Sequence, residues 1–296
     1  MKPITAITPM TVLFLMLIAP PSGAATMMDL WPGQPPHSKP STLEEHVKEA
    51  WGVPCAYDVT RPTLTIYPAQ GENCGRAIVI FPGGGYALES IVAEGRLIAE
   101  ALASRGITAA VLKYRLPLLE ASDEPQLLPL TDARRALSLM RSLAKQYGFD
   151  PAKVGVLGFS AGGHLAATVS VLRSEDKGEN PDFSALIYGV TTLSPANQKW
   201  LEEALFHRAM TAAEKQQYSL VDHVDARTPP AFLVHAFDDD VVPIRESQLY
   251  AQALAAAGQG VEVHFFAKGG HGFGPGRAQD GTGQWMALLA EWIHRR

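Results

Sequence analysis

The 296-residue chain has little that would point away from an ordinary globular domain. It has two cysteines, and no histidine, cysteine or carboxylate cluster has metal-ligand spacing, so no metal or organic cofactor is implied. No block of like charge, low-complexity tract or internal repeat interrupts it, which excludes solenoid and tail-dominated architectures. The net charge of −5 offers nothing to attract nucleic acid or an anionic membrane. The apolar run at 10–19 falls short of the roughly 20 residues that cross a bilayer.

What is present suits one domain with a large core, at 47% apolar and 19% charged residues. Lys2, the apolar run 10–19, Pro20-Pro21 and the small residues Ser22-Gly23-Ala24-Ala25 read as a cleavable signal peptide over residues 1–25, cut near Ala24 or Ala25. No cysteine sits at that site to carry a lipid anchor. The mature chain is then a single domain over 26–296, and its compartment is the periplasm or the exterior. Export makes a disulfide permissible, and Cys55 and Cys74 are read as bonded rather than free. Such a bridge closes a loop of about 20 residues and would add ~3 kcal/mol.

Residues 26–62 are rich in proline and polar residues and read as surface wrapping. Strands are expected at 63–67, 76–81, 107–114, 153–157, 185–188, 231–237 and 261–267. Helices are expected over 91–106, 132–147, from 160 onward, 247–257 and 284–294, with 116–129 a loop. The region 190–228 lacks strand character and carries helical stretches at 199–205 and 212–217. Strands alternating with helices predict an α/β fold with a mostly parallel sheet covered on both faces, and active sites there form beyond the carboxyl ends of the strands.

The chemistry concentrates at such ends. Gly158-Phe159-Ser160-Ala161-Gly162 follows the apolar run Lys153–Leu157 and precedes a helix-competent segment. A serine on a sharp strand-to-helix turn, flanked by glycines that avoid clashes, is a nucleophile elbow. A serine hydroxyl needs a base, and the base needs an orienting acid. Of nine histidines, His271 follows the last strand in a glycine-rich loop that can bend toward Ser160. His164 lies near the serine but on its helix, and His235 and His264 sit inside strands as packing or surface residues. Asp238, Asp239 and Asp240 follow the preceding strand, and spacing alone does not choose among them. Backbone donors for an oxyanion come from Ala161 and from the run Pro82-Gly83-Gly84-Gly85-Tyr86 after the 76–81 strand. Tyr86, next to the glycines, is a candidate substrate-binding residue.

Together these motifs, with Leu30-Trp31-Pro32-Gly33, Lys113–Pro117, Asp132–Ala136, Asp239–Pro243 and Gly269–Gly274, make the chain resemble the α/β-hydrolases. More narrowly, it is similar to secreted bacterial acetyl xylan esterases and other carbohydrate esterases of the hormone-sensitive-lipase type. The resemblance implies Asp239 as the acid, four residues after His235 and four before Pro243, with Ala236 replacing the usual glycine. It implies Gly84, Gly85 and Ala161 as the oxyanion donors and 190–228 as a short cap over the acyl pocket. It also implies a serine esterase that removes short acyl groups, acetyl above all, from oligosaccharide or polysaccharide esters such as acetylated xylan. A feruloyl or general short-chain esterase would share the machinery. A prolyl-oligopeptidase-type peptidase shares the triad order but usually carries a large extra N-terminal domain. A carbohydrate-binding pseudoenzyme would require a broken triad.

Overall fold

The computed structural model describes residues 23–296, and the leader read from Lys2 and the apolar run 10–19 lies outside them. The strands are β1 (Thr26–Asp29), β2 (His46–Ala50), β3 (Val53–Tyr57), β4 (Thr63–Tyr67), β5 (Ala77–Phe81), β6 (Thr108–Lys113), β7 (Val154–Phe159), β8 (Ser184–Ile187), β9 (Ala231–Ala236) and β10 (Val261–Phe266). The helices are α1 (Leu97–Ala103), α2 (Leu128–Ser142), α3 (Ala144–Tyr147), α4 (Ala161–Val171), α5 (Pro195–Leu201), α6 (Ala212–Gln217), α7 (Arg245–Ala256) and α8 (Trp285–His294). Among the described residues, no helix is long and apolar enough to cross a membrane.

An 8-stranded sheet runs in the order β1-β4-β6-β5-β7-β8-β9-β10. β1, β4 and β6 pair antiparallel, and every neighbour from β6 to β10 pairs parallel. The central strands are apolar on both faces because both are covered. In β5, Ala77, Val79 and Phe81 face a core shared with α2, α4 and α7, while Ile78 and Ile80 face a second core shared with α1 and α8. This is the α/β-hydrolase fold.

The outer elements depart from expectation. Residues 26–62 do more than wrap the surface: β1 adds an edge strand to the sheet, and β2 and β3 form a separate hairpin. That hairpin is tied to the loop after β5, where Ala56 and Glu89 exchange N–H···O bonds of 2.9 Å. α2 begins at Leu128, inside the expected loop, because Pro129 sits in the first turn, where its missing N–H is not needed. The 91–106 helix opens with a π-helical turn over Val92–Arg96 before α1. The 190–228 segment supplies α5, a second π-helical turn over Glu202–Phe206, and α6. Leu201, Leu205, Phe206 and Tyr218 from this segment join the first core.

The Cys55–Cys74 bridge is corrected: both thiols are free. Cys55 is buried in β3, with its Sγ toward the carbonyls of Val53 and Ala50. Cys74 packs against the second core, and its N–H bonds Gly106 O. Closeness in sequence does not bring them together: Cys55 lies in the hairpin fastened to the loop after β5, whereas Cys74 lies in the turn before β5.

Candidate active site

β7 and α4 meet at Ser160, which has φ 50° and ψ −115°. This is a conformation that few non-glycine residues adopt. The turn survives because the residues two before and two after Ser160, Gly158 and Gly162, have no side chains. A Cβ on Gly158 would lie 2.0 Å from Gly162 O, and one on Gly162 would lie 2.1 Å from Phe81 O. Ser160 N–H donates to Ile187 O at 3.0 Å, which anchors the elbow to β8. The hydroxyl is thereby raised above the carboxyl ends of the strands.

The loop after β10 brings His271 to it. Nε2 lies 2.8 Å from Ser160 Oγ, and Nδ1 lies 2.8 Å from Asp239 Oδ2. An ionised carboxylate only accepts, so Nδ1 carries the proton and Nε2 presents its lone pair to the serine hydroxyl. Positive φ at Gly270, Gly272 and Gly274 bends the loop around the ring. The Tyr188 ring packs 4.9 Å from the imidazole.

The three adjacent aspartates separate in space. Asp238 accepts from Gly270 N–H at 2.8 Å. Asp240 is exposed at the mouth of the cleft. The Asp239 side chain is fully buried, and Oδ1 accepts from the N–H groups of Val241 and Val242 at 3.0 and 2.8 Å. Burial pushes its carboxyl up. The hydrogen bonds from His235, His271 and Val242 outweigh that and hold it well below the ordinary carboxylate range.

His235 is a contributor that its place inside a strand conceals. It is fully buried, with Nε2 2.8 Å from Val242 O and 3.2 Å from Asp239 Oδ2, and Nδ1 2.8 Å from Ser247 Oγ. Val242 O only accepts, so Nε2 is the protonated nitrogen and Ser247 donates to Nδ1. The four-residue step from His235 to Asp239 was the available sequence signal.

The glycine run after β5 forms the opposite wall. Gly84 has φ +138° and Gly85 φ +66°, and a Cβ on Gly84 would lie 2.1 Å from Leu88 O. Among the described residues, the N–H groups of Gly84 and Gly85 donate to nothing. Ala161 begins α4, so its N–H has no partner within the helix. Glu94, a residue no motif marks, holds this loop from behind. It accepts from Gly83 N–H at 2.8 Å and from Tyr188 OH at 2.7 Å, and Tyr188 OH accepts from Gly274 N–H at 3.1 Å. Burial raises the Glu94 carboxyl despite those bonds.

Tyr86 does not line the cleft. It is buried, its OH bonds His164 Nδ1 at 2.8 Å, and its ring stacks on Trp200 at 5.6 Å. Trp200 Nε1–H also donates to Gly85 O at 3.3 Å. Tyr86 therefore braces the glycine loop against the 190–228 segment instead of meeting substrate. Ser160, His271, Gly84, Gly85, Glu94 and Trp51 line one cleft of about 600 Å³.

Comparison with known proteins finds esterases among the relatives of this chain. The chain is 31% identical to an acetylxylan esterase of Xylanibacter ruminicola, over 74% of this chain and 45% of that protein. It is 30% identical to endo-1,4-beta-xylanase B of Butyrivibrio fibrisolvens, over 71% and 34%. The chain thus spans less than half the length of these curated relatives. The crystal structure of an acetyl ester-xyloside bifunctional hydrolase from Caldicellulosiruptor lactoaceticus superposes with a TM-score of 0.75 at 32% identity, covering 91% of this chain and 96% of that one. The BD-FAE family matches residues 64–254. Since that match takes in the elbow, the glycine loop and Asp239, this chain belongs to the BD-FAE family.

Proposed function

We propose that this protein is an exported serine esterase that removes short acyl groups, acetyl foremost, from plant-polysaccharide fragments such as acetylated xylan. The observation that carries the reading is the unbroken run from Ser160 Oγ through His271 to Asp239, with both bonds at 2.8 Å. Ser160 Oγ attacks the ester carbonyl while His271 Nε2 takes its proton. Asp239 holds the ring and stabilises the imidazolium. The tetrahedral oxyanion accepts from the N–H groups of Gly84, Gly85 and Ala161, each of which typically contributes ~10²–10³ in rate. The imidazolium then protonates the sugar oxygen as its bond to the acyl carbon breaks, so the sugar departs as an alcohol and leaves an acetyl-enzyme. In the second half, His271 takes a proton from water, hydroxide equivalent attacks, and acetate leaves as Ser160 regains its proton.

The names of the relatives support acetyl and xylan as the acyl group and the carrier. The leader-like segment supports export. In the test, purified protein releases acetate from acetylated xylan and hydrolyses p-nitrophenyl acetate. Ser160→Ala abolishes both activities without lowering the melting temperature. Faster release of ferulate from feruloylated arabinoxylan would move the reading to a feruloyl esterase. An inactive wild type would sink it.

A further inference from the structure

The β2–β3 hairpin carries a residue that its own folding does not require. Ala50 pairs with Val53, so the turn is Trp51-Gly52 alone. Both turn residues have positive φ, 52° and 75°, as in a type I′ turn. That turn favours asparagine, aspartate or glycine at its first position, and a bulky residue there is strained. Packing does not compensate. Trp51 is 75% exposed, the most of any large apolar side chain among the described residues. A tryptophan that costs the turn and leaves three-quarters of its surface uncovered is explained by something outside the fold.

Its position indicates what that is. Trp51 lines the same cleft as Ser160, His271 and the glycine loop. The hairpin holds it there rigidly, because the Ala56–Glu89 bridge fastens β3 to the loop that continues from those glycines. Glu45, just before β2, accepts from Thr60 N–H at 2.8 Å and from Lys113 Nζ, which fixes the base of the hairpin. The cleft of about 600 Å³ falls in the range of sites that enclose a whole small-molecule ligand, far more than an acetyl group occupies. An indole is a wide, flat, apolar platform with a polar N–H at its edge. That matches a pyranose ring, which has an apolar C–H face and hydroxyls around its rim.

We propose that Trp51 is the stacking platform of a sugar subsite, placing the pyranose that bears the ester, or its neighbour along the chain, at the cleft mouth. The proposal rests on the polysaccharide-ester reading and adds the residue that recognises the sugar.

The test compares acetylated xylo-oligosaccharide, ethyl acetate (which has no ring) and methyl ferulate as substrates. Trp51→Ala should lower kcat/KM on the oligosaccharide by about tenfold, chiefly through KM, because the sugar loses the flat apolar face it stacks on. Its ratio to ethyl acetate should fall at least about fivefold, and Trp51→Phe should recover part of it. Trp51→Asn suits the type I′ turn, so it should melt at or above the wild-type temperature while losing the same preference. A wild type with no preference for the oligosaccharide over ethyl acetate overturns the sugar-ester reading itself. If wild type has the preference and Trp51→Ala and Trp51→Asn keep it, the platform alone is refuted. A larger loss on methyl ferulate than on the oligosaccharide also refutes it, because the indole would then hold an aromatic acyl group.

Discussion

Asp239→Asn separates the three adjacent aspartates most sharply. Oδ1 serves the N–H groups of Val241 and Val242, and Oδ2 faces the ring nitrogens of His271 and His235. An asparagine has one accepting atom where the carboxylate has two. If its oxygen stays on the backbone donors, its NH₂ replaces Oδ2 and meets two imidazole N–H groups. His271 can then bond only by moving its proton to Nε2, which points at Ser160 Oγ and can no longer accept the serine proton. If the amide flips, the N–H groups of Val241 and Val242 lose their acceptor, at about 1–3 kcal/mol each where buried. The first arrangement is the wrong-tautomer state, which costs about 10⁴ in kcat, or about 5 kcal/mol of barrier. Asp238→Asn keeps an oxygen for Gly270 N–H and loses only a 3.7 Å charge pair with the exposed Lys268. An exposed pair of that kind contributes about 0–1 kcal/mol, so kcat should stay within about fivefold. Asp240→Asn should stay within the same range. The assay is kcat for p-nitrophenyl acetate near neutral pH, with melting temperatures as the control on folding. Retention of more than roughly a hundredth of wild-type kcat in Asp239→Asn would refute the tautomer argument. A larger loss in Asp238→Asn or Asp240→Asn would assign the acid to another aspartate.

Two glycines test the elbow and its opposite wall. A Cβ on Gly158 meets only backbone of the first turn of α4, at 2.0, 2.4 and 2.8 Å. Gly158→Ala should therefore exceed the usual 1–3 kcal/mol of overpacking and give little soluble protein. Gly85→Ala meets open space and costs only its φ of +66°, about 1–2 kcal/mol, so it should fold with a lower melting temperature. Equal soluble yields would contradict the steric account. His164 tests acid stability. Burial pushes it from 6.5 down to about 3. The folded pKa lies below the unfolded one, so the unfolded chain binds the extra proton. Stability is full above about 6.5 and is lost as pH falls toward 3, by at most about 1.4 kcal/mol per pH unit. His164→Gln keeps an acceptor for Tyr86 OH but does not titrate, so urea unfolding should depend less on pH across that window. Identical slopes would remove His164 as a cause.

The frame of this protein was legible because its signals are local. β5 and β7 are short apolar runs, Gly148 and Gly106 end helices in the left-handed conformation, and the elbow declares itself by five residues set between a strand run and a helix. What stayed hidden depends on contacts between distant residues. β2 reads His-Val-Lys-Glu-Ala, with no alternation to mark a strand, and the anchor of its partner β3, Glu89, lies 33 residues beyond Ala56. Glu94 belongs to no motif, and its role arises only where Gly83 and Tyr188 converge on it. Tyr86 misleads by adjacency, since a φ of 64° turns it from the glycines toward His164 and Trp200. One further signal lies in the backbone of the folded chain. Among the described residues, seven non-glycine side chains sit at positive φ, and Trp51, Ser160, Tyr86 and Tyr188 are four of them. Two line the cleft, one braces the glycine loop, and one packs on His271. Strain of about 1–3 kcal/mol at each persists only where the surroundings over-determine it, and such residues gather at functional sites. Three of the four have evident work in presenting or supporting the reactive groups. Trp51 is the fourth, and a sugar ring stacked on its exposed indole gives the same kind of reason for its strain.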